Sequence, residues 1–164
     1  MTLATHMVVG AAAAKVFSSH PVEAFAIGWI SHYIMDSVVH WDYPLSITQG
    51  AEHTPINVRQ APKKLIAYDI AKVLIDVCIG FILIYILAQN FNSNSLTMLV
   101  AGAVGATIPD FLQFLYGIFK VSVLRVLQNF HDFMHAKTTL KNRPVLGIGS
   151  QVCIILVIGM LLMF

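Results

Sequence analysis

The sequence predicts an all-α integral membrane protein, folded as one bundle of about five apolar helices with an additional amphipathic helix at the membrane interface. Hydrophobic residues occupy 57% of the 164 positions and charged residues only 11%, whereas about a quarter of the residues in a soluble domain are charged. The mean hydropathy of +0.76 points the same way. This length suits a single membrane-embedded domain that covers residues 1–164.

Apolar runs of helical length divide the chain into five candidate membrane helices, at about residues 3–17, 22–41, 65–87, 96–119 and 145–164. A crossing requires roughly 20 residues. The first segment is therefore short, and it either crosses with little tilt or forms a re-entrant pair with the second. Polar and proline-containing breaks separate the runs. The mixed stretch 119–143 is typical of an amphipathic helix that lies on the membrane surface.

The basic residues favour one orientation in the membrane. With five crossings, Lys15 lies on one side, and the other side carries Arg59, Lys63, Lys64, Lys120, Arg125, Lys137, Lys141 and Arg143. Cytoplasmic loops are enriched in Lys and Arg, so both basic loops are expected in the cytoplasm. The expected location is the cytoplasmic (inner) membrane of a bacterium or an archaeon.

Several function classes find no support in the sequence. A net charge of +2 without a cluster of basic and aromatic residues argues against nucleic-acid binding. The chain contains no G-x-S-x-G motif, no phosphate-binding lysine loop and no glycine-rich dinucleotide turn. Cys78 and Cys153 lie in apolar runs, and we expect them to be small buried hydrophobic residues rather than a disulfide or a metal knuckle.

Histidine and aspartate side chains carry the functional information. In an apolar bundle such residues are costly, and they usually face a partner, a metal ion or a water-filled cavity. With the predicted orientation, separate segments bring them toward the cytoplasmic end of the bundle. The residues concerned are His6, His32, Asp36, His40, Asp69, Asp110, His131, Asp132 and His135. Because so many segments contribute, a constructed site is favoured over random scatter.

The strongest motif joins His32, Asp36 and His40. In a helix, these residues fall within an arc of about 80°, and imidazole and carboxylate groups are the usual ligands of zinc, iron or manganese. Two of them can hold one ion, whereas three could bridge a pair of ions or supply a carboxylate that orients a ligand. The competing interpretation is a solvated helix end at the interface, which suits His40 and the neighbouring Asp42.

His131 and His135 repeat the spacing of four residues. The spacing is that of H-E-x-x-H metalloproteases, but Asp132 stands next to the first histidine and the glutamate base is missing. The alternative is an exposed amphipathic face. Asp110 follows Pro109 and a run of small residues, which favours its projection into a cavity. His6 precedes a glycine and alanine-rich helix that can pack closely against its neighbours.

The third helix carries Asp69, Lys72 and Asp76 on one face. We expect Lys72 to neutralise Asp76 inside the bundle, which leaves Asp69 as a candidate for orienting a metal ligand. His20 and His53 are expected in loops. The long loop at 43–62 could cover the site as a lid.

Several of these motifs occur together in one known family. They are Thr5-His6 with Gly10, Gly28 with Ser31-His32 and Asp36, Gly105 with Pro109-Asp110, and the pair His131 and His135. The set resembles the membrane-bound metal-dependent hydrolases, also described as LexA-binding, inner-membrane-associated hydrolases. Their recurring elements are T-H, G-x-x-x-P-D, H-R-G-x-T-H and S-H-x-x-x-D. The resemblance implies a metal-assisted hydrolase in the inner membrane.

Two departures from the family pattern indicate a distant or rearranged relative. Here Ser31-His32 and Asp36 precede Pro109-Asp110, whereas the family is expected to have the opposite order. The paired histidines also lack the Arg-Gly between them. Both departures bear on the substrate and the reaction more than on the metal site.

The sequence therefore predicts a metal-dependent hydrolase that acts on a lipid, or on a lipid-linked phosphate or ester, at the cytoplasmic membrane interface. A divalent metal is expected, zinc first and manganese or iron as alternatives, with the ligands His6, His32, Asp36, Asp110, His131 and His135. Asp132 and His40 are the candidates for moving the proton. The competing functions are an intramembrane transporter of metal ions or protons, and a non-catalytic adaptor that binds a partner through its basic loops.

Overall fold

The computed structural model describes residues 1–45, 62–89, 93–137, 140 and 142–163. Within these ranges the secondary structure is helical without strands, which confirms the all-α part of the predicted fold class. The helices are α1 (Leu3–Phe17), α2 (Pro21–Asp36), α3 (Lys63–Ala88), α4 (Ser93–Phe119), α5 (Ser122–Met134) and α6 (Pro144–Met163). The predicted lid is mostly outside the described residues, and so is His53.

Three described helices are long and apolar enough to cross a membrane, fewer than the five expected: Lys63–Ala88, Leu96–Phe119 and Pro144–Leu162. Helices α1 and α2 have 15 and 16 residues, or about 22 and 24 Å, against a hydrocarbon core of about 30 Å. Residues 18–20 interrupt the helical chain between α1 and α2 and keep both helices short, which explains part of the difference between five expected and three observed crossing helices. Pro21 starts α2, and the His20 side chain accepts a hydrogen bond from the Val22 N–H (3.3 Å).

The surfaces of the three long helices are apolar. Large hydrophobic side chains are exposed along them, for example Ile75, Ile79 and Ile82 in α3 and Leu156 and Leu161 in α6. A contiguous apolar surface of this kind is compatible with contact to lipid tails. Cys78 and Cys153 are also exposed on α3 and α6, so the expectation that they are buried is wrong.

Helix α1 lies inside the bundle, where it contacts α2, α3, α4 and α6. Most of its residues are buried, because its alanines and Gly10 leave room for neighbouring backbones. Helices α2 and α4 also approach each other closely. A Cβ atom at Gly28 would lie 2.0 Å from the Gly102 carbonyl oxygen. Small residues therefore set the distances between the helices that carry the polar residues.

Asp76 of α3 holds the first turn of α1. Its carboxylate accepts hydrogen bonds from the backbone N–H groups of Leu3 (2.6 Å) and Ala4 (3.2 Å), which have no partner within the helix. Lys72 Nζ instead lies 3.5 Å from Asp69 Oδ1 and donates to the Pro44 carbonyl (2.7 Å). The expectation that Lys72 neutralises Asp76 is therefore wrong, because the start of α1 binds that carboxylate.

Helix α2 ends at Asp36, earlier than the expected residue 41. The residues that follow Asp36 are not helical, and the chain after α5 donates two hydrogen bonds to this part of the backbone. The Ala136 N–H donates to the Asp36 carbonyl and the Leu140 N–H donates to the His40 carbonyl, both at 2.8 Å. His40 is thus not on the helical face that carries His32 and Asp36, as was expected, but it follows in a loop that stays beside them.

Candidate metal centre

Five of the seven histidines surround the carboxylate of Asp36, close to the points where α1 begins and where α2 and α5 end. They are His6, His32, His40, His131 and His135. Asp36 is 2% exposed, and His6, His32 and His40 are each 1% exposed or less. The described part of the chain thus gathers a group of imidazoles around one buried acid.

One oxygen of Asp36 faces two histidines and a second acid. Its Oδ2 atom lies 3.1 Å from His32 Nε2 and 3.3 Å from His131 Nε2. Asp110 Oδ1 lies 3.7 Å from His32 Nε2 and 3.9 Å from His131 Nε2. These four side chains come from α2, α4 and α5, and their ligand atoms all lie within 4.8 Å of one another.

The other oxygen of Asp36 faces a second set. Its Oδ1 atom lies 3.1 Å from His6 Nε2 and 3.7 Å from His40 Nε2. Asp42 Oδ1 lies 3.2 Å from His40 Nε2, and Asp42 Oδ2 lies 3.8 Å from His135 Nε2. The amino group of Met1 lies 3.4 Å from Asp36 Oδ1 and also contacts Asp42.

Hydrogen bonds from the Nδ1 atoms of His32 and His40 fix the tautomers of these two rings. His32 Nδ1 is 2.8 Å from the Ala106 carbonyl, and His40 Nδ1 is 2.7 Å from the Val38 carbonyl. A carbonyl oxygen only accepts, so each Nδ1 carries the hydrogen. In the neutral ring the Nε2 lone pair then points at the carboxylate, which also only accepts. Such an arrangement requires a proton or a cation between the two groups.

Several buried ring nitrogens of these histidines have no hydrogen-bond partner in the described part of the chain. They include His32 Nε2, His40 Nε2 and both ring nitrogens of His6. Buried polar atoms are nearly always hydrogen-bonded. Placing a proton on every ring is unfavourable, because the rings are close together. The His6 and His32 rings stack with centroids 4.1 Å apart, and like charges at this distance repel.

A metal ion fits the same atoms. Two ligands at about 2.0–2.1 Å from a tetrahedral zinc ion lie about 3.3 Å apart. The separations of 3.1–3.9 Å around Asp36 are close to this value. Nitrogen and carboxylate donors suit zinc, iron or manganese, whereas calcium and magnesium prefer oxygen alone. The donor set is therefore compatible with a divalent transition metal, which it does not identify further.

Asp42 is ionised in this surrounding. Burial raises the pKa of its carboxyl group, but the nearby His40 ring and the charge of the Met1 amino group outweigh burial, and the pKa lies well below its usual range. Asp42 thus contributes a negative charge beside His40 at neutral pH.

The candidate residues do not all meet at this centre. Asp132 is exposed on α5, where its Oδ1 accepts a hydrogen bond from Gln128 Nε2 (2.8 Å). Asp69 is buried on α3 and contacts Lys72. His20 caps α2 at an exposed position. The remaining candidates surround Asp36 as described above.

One supporting residue was not found from the sequence. Gln151 of α6 is buried; its Nε2 donates to the Trp41 carbonyl (2.8 Å), and its Oε1 accepts from the Thr2 N–H and the Thr5 hydroxyl. It joins the start of α1 to the segment that carries His40 and Asp42. The available signal was an amide side chain in the apolar run 145–164.

Comparisons of the chain with protein-family models, with curated proteins and with solved structures find no match. The chemistry of the residues around Asp36 is therefore the basis for inferring a function.

Proposed function

We propose that the protein is a membrane-bound metal-dependent hydrolase whose metal centre forms on Asp36. The observation that carries the proposal is the set of buried imidazole nitrogens that face this carboxylate without hydrogen-bonding it. His32, Asp36, Asp110 and His131 would hold the ion, with His6 and His135 as further candidate ligands. Zinc is the first expectation, with manganese and iron as alternatives. The resemblance to the membrane-bound metal-dependent hydrolases agrees with this assignment.

A bound divalent ion would supply a water of lowered pKa and would polarise a phosphoryl or carbonyl oxygen. If the centre holds a single ion, His40 is the residue placed to hold or pass a proton, because its Nε2 then binds no metal. Its Nε2 lies between Asp36 Oδ1 (3.7 Å) and Asp42 Oδ1 (3.2 Å). The ionised Asp42 would stabilise the protonated ring. Asp132, the other candidate, lies outside the cluster and would have to act from the exposed face of α5.

The substrate class follows from where the centre lies in the bundle. His131 belongs to α5, whose outer face exposes Val123, Val126, Phe130 and Phe133. These residues recur at helical spacing, as in helices that lie in a membrane interface. We therefore assign a lipid, or a lipid-linked phosphate or ester, as the substrate class, hydrolysed on the cytoplasmic face of the inner membrane.

The distribution of polar residues favours this function over transport. A proton or ion pathway needs polar groups through the thickness of the membrane. In the described ranges, the buried histidines and acids are His6, His32, Asp36, His40, Asp69, Asp76 and His131. All four of these histidines surround the carboxylate of Asp36. A concentrated group of ligands suits a reaction centre better than a relay.

The test is hydrolysis by detergent-purified protein of three substrates: a phosphatidic acid, a phosphodiester lipid and a carboxylic ester of similar chain length. Activity should disappear with a chelator, return with zinc or manganese, and be lost in His131→Ala. His20→Ala is the matched control, because His20 is exposed at the start of α2. Metal-loaded protein that hydrolyses none of these substrates would contradict the proposal and leave the transporter or the adaptor.

A further inference from the structure

The donor side chains around Asp36 are too numerous for one ion. Five histidines and three aspartates contribute atoms. A structural zinc ion takes four ligands, a catalytic one takes three and a water, and an octahedral ion takes six. If His32, Asp36, Asp110 and His131 hold one ion, the buried rings of His6 and His40 are left as polar groups without a hydrogen bond from their Nε2 atoms in the described residues, which is costly.

The two oxygens of Asp36 separate the donors into two sets. Oδ2 faces His32 and His131, with Asp110 beyond them, whereas Oδ1 faces His6 and His40. Both oxygens belong to one carboxylate, so the two sets share one ligand and lie next to each other. A carboxylate in this position is the usual bridge between two metal ions.

From this division, we propose that the centre is dinuclear, with Asp36 as the bridging ligand and a second ion held by Asp36 Oδ1, His40 and Asp42. His135 and His6 complete this second position. The inference rests on the metal centre of the proposed function and extends it, because two ions held about 3.5–4 Å apart by one protein site are typical of phosphoester and peptide hydrolysis.

The second position combines the buried His40 with the partly exposed Asp42 and His135. His40 is 1% exposed and its Nε2 has no hydrogen-bond partner in the described part of the chain. The Val38 carbonyl orients this ring through Nδ1, as a carbonyl or carboxylate does for most metal-binding histidines. Asp36, His40 and His135 also bring their ligand atoms within 4.8 Å of one another.

The charge at this position is also that of a cation site. The amino group of Met1 lies 3.4 Å from Asp36 Oδ1 and contacts Asp42, so two carboxylates already face a positive group here. If that amino group were the permanent counter-ion, the centre would bind one metal ion and His40 would not be a ligand. The two arrangements differ in the number of ions bound.

The experiment counts the ions. Purified protein is saturated with manganese, freed of excess metal, and analysed by elemental mass spectrometry and electron paramagnetic resonance. The wild type should hold about two ions per chain with a spin-coupled spectrum, as expected for a carboxylate-bridged pair. His40→Ala should hold about one ion with an uncoupled spectrum. His20→Ala should match the wild type, and circular dichroism should show that each variant is folded.

One ion per wild-type chain, with an uncoupled spectrum, would overturn the dinuclear centre whatever His40→Ala does. The hydrolase assay separates this result from failure of the proposed function. Two coupled ions without hydrolysis would retain the dinuclear centre and remove the hydrolase. One ion with hydrolysis would overturn the dinuclear centre and retain the hydrolase. No bound ion would overturn both the dinuclear centre and the metal-dependent hydrolase.

Discussion

His131 Nε2 lies 3.3 Å from Asp36 Oδ2, although the two residues belong to α5 and α2. The backbone reinforces this contact, because the Ala136 N–H donates to the Asp36 carbonyl at 2.8 Å. The end of α2 and the end of α5 are thus joined by both main chain and side chain. Loss of this junction would separate the two helices that supply most of the proposed ligands.

Gly28→Ala should destabilise the protein and lower its metal content. The added Cβ would lie 2.0 Å from the Gly102 carbonyl, so α2 and α4 would have to move apart, at a cost of about 1–3 kcal/mol. The shift would also displace His32 and Asp36 relative to Asp110. Thermal unfolding in detergent, together with metal analysis, measures both effects.

Gly149→Ala is the matched control, because among the described residues no atom other than those of its chain neighbours and its own helix backbone lies within 4 Å of the added Cβ. In a helix this change should be neutral or stabilising by up to about 1 kcal/mol. Equal unfolding temperatures for the two variants would contradict the close packing of α2 on α4.

Asp76→Ala should destabilise the start of α1 by about 0.5–2 kcal/mol, the usual value for a lost helix cap. The variant removes the acceptor for the N–H groups of Leu3 and Ala4. Asp76→Asn keeps one acceptor oxygen and should lie between wild type and alanine in its unfolding temperature. A wild-type unfolding temperature for Asp76→Ala would show that this carboxylate does not hold α1.

Metal retention should fall as the pH is lowered from 8 to 4.5, because protons compete with the metal ion for the imidazole nitrogens. Asp42 should not cause this loss. The pKa of the Asp42 carboxyl group lies below the usual aspartate value. The carboxylate and the stabilisation it contributes are therefore fully present above that usual value, and they are lost only when the pH falls through the lowered pKa. Equilibrium dialysis from pH 8 to pH 4.5 measures retention. Full occupancy at pH 4.5 would contradict histidine ligation.

Asp132→Asn should retain the metal content of the wild type. Asp132 is exposed and its carboxylate contacts Gln128 rather than the ring of His131. Elemental analysis of this variant tests its exclusion from the ligand set, and a loss of half the metal or more would contradict it. The hydrolysis rate of the metal-loaded variant then measures whether Asp132 moves a proton.

Periodicity and composition predicted the helical fold and the segments that became α1, α3, α4 and α6, because long apolar runs leave few alternatives in such a chain. The end of α2 was not predictable from periodicity. The residues after Asp36 continue an apolar pattern, but they are not helical, and residues 136 and 140 donate hydrogen bonds to the backbone there. Helix α2 is therefore shorter than predicted, and α1, although its bounds were predicted correctly, is also too short to count among the crossing helices.

The spacing of His32 and Asp36 predicted a contact that the structure contains, at 3.1 Å. The same argument gave the wrong geometry for His40, which reaches Asp36 from a loop. The partner of Asp76 was also missed, since a backbone N–H group at the start of another helix leaves no mark in the sequence. Local spacing therefore found most of the cluster, whereas contacts made by loops and helix ends required the fold.

The most direct test of the central claim is the metal content of Asp36→Asn. Elemental mass spectrometry of detergent-purified protein is applied to this variant, to the wild type and to His20→Ala, with circular dichroism to show that each is folded. Asp36 contacts both sets of histidines, so the variant should lose at least about nine-tenths of the metal, more than for an orienting residue alone. A folded Asp36→Asn protein with wild-type metal content would contradict a centre formed on Asp36.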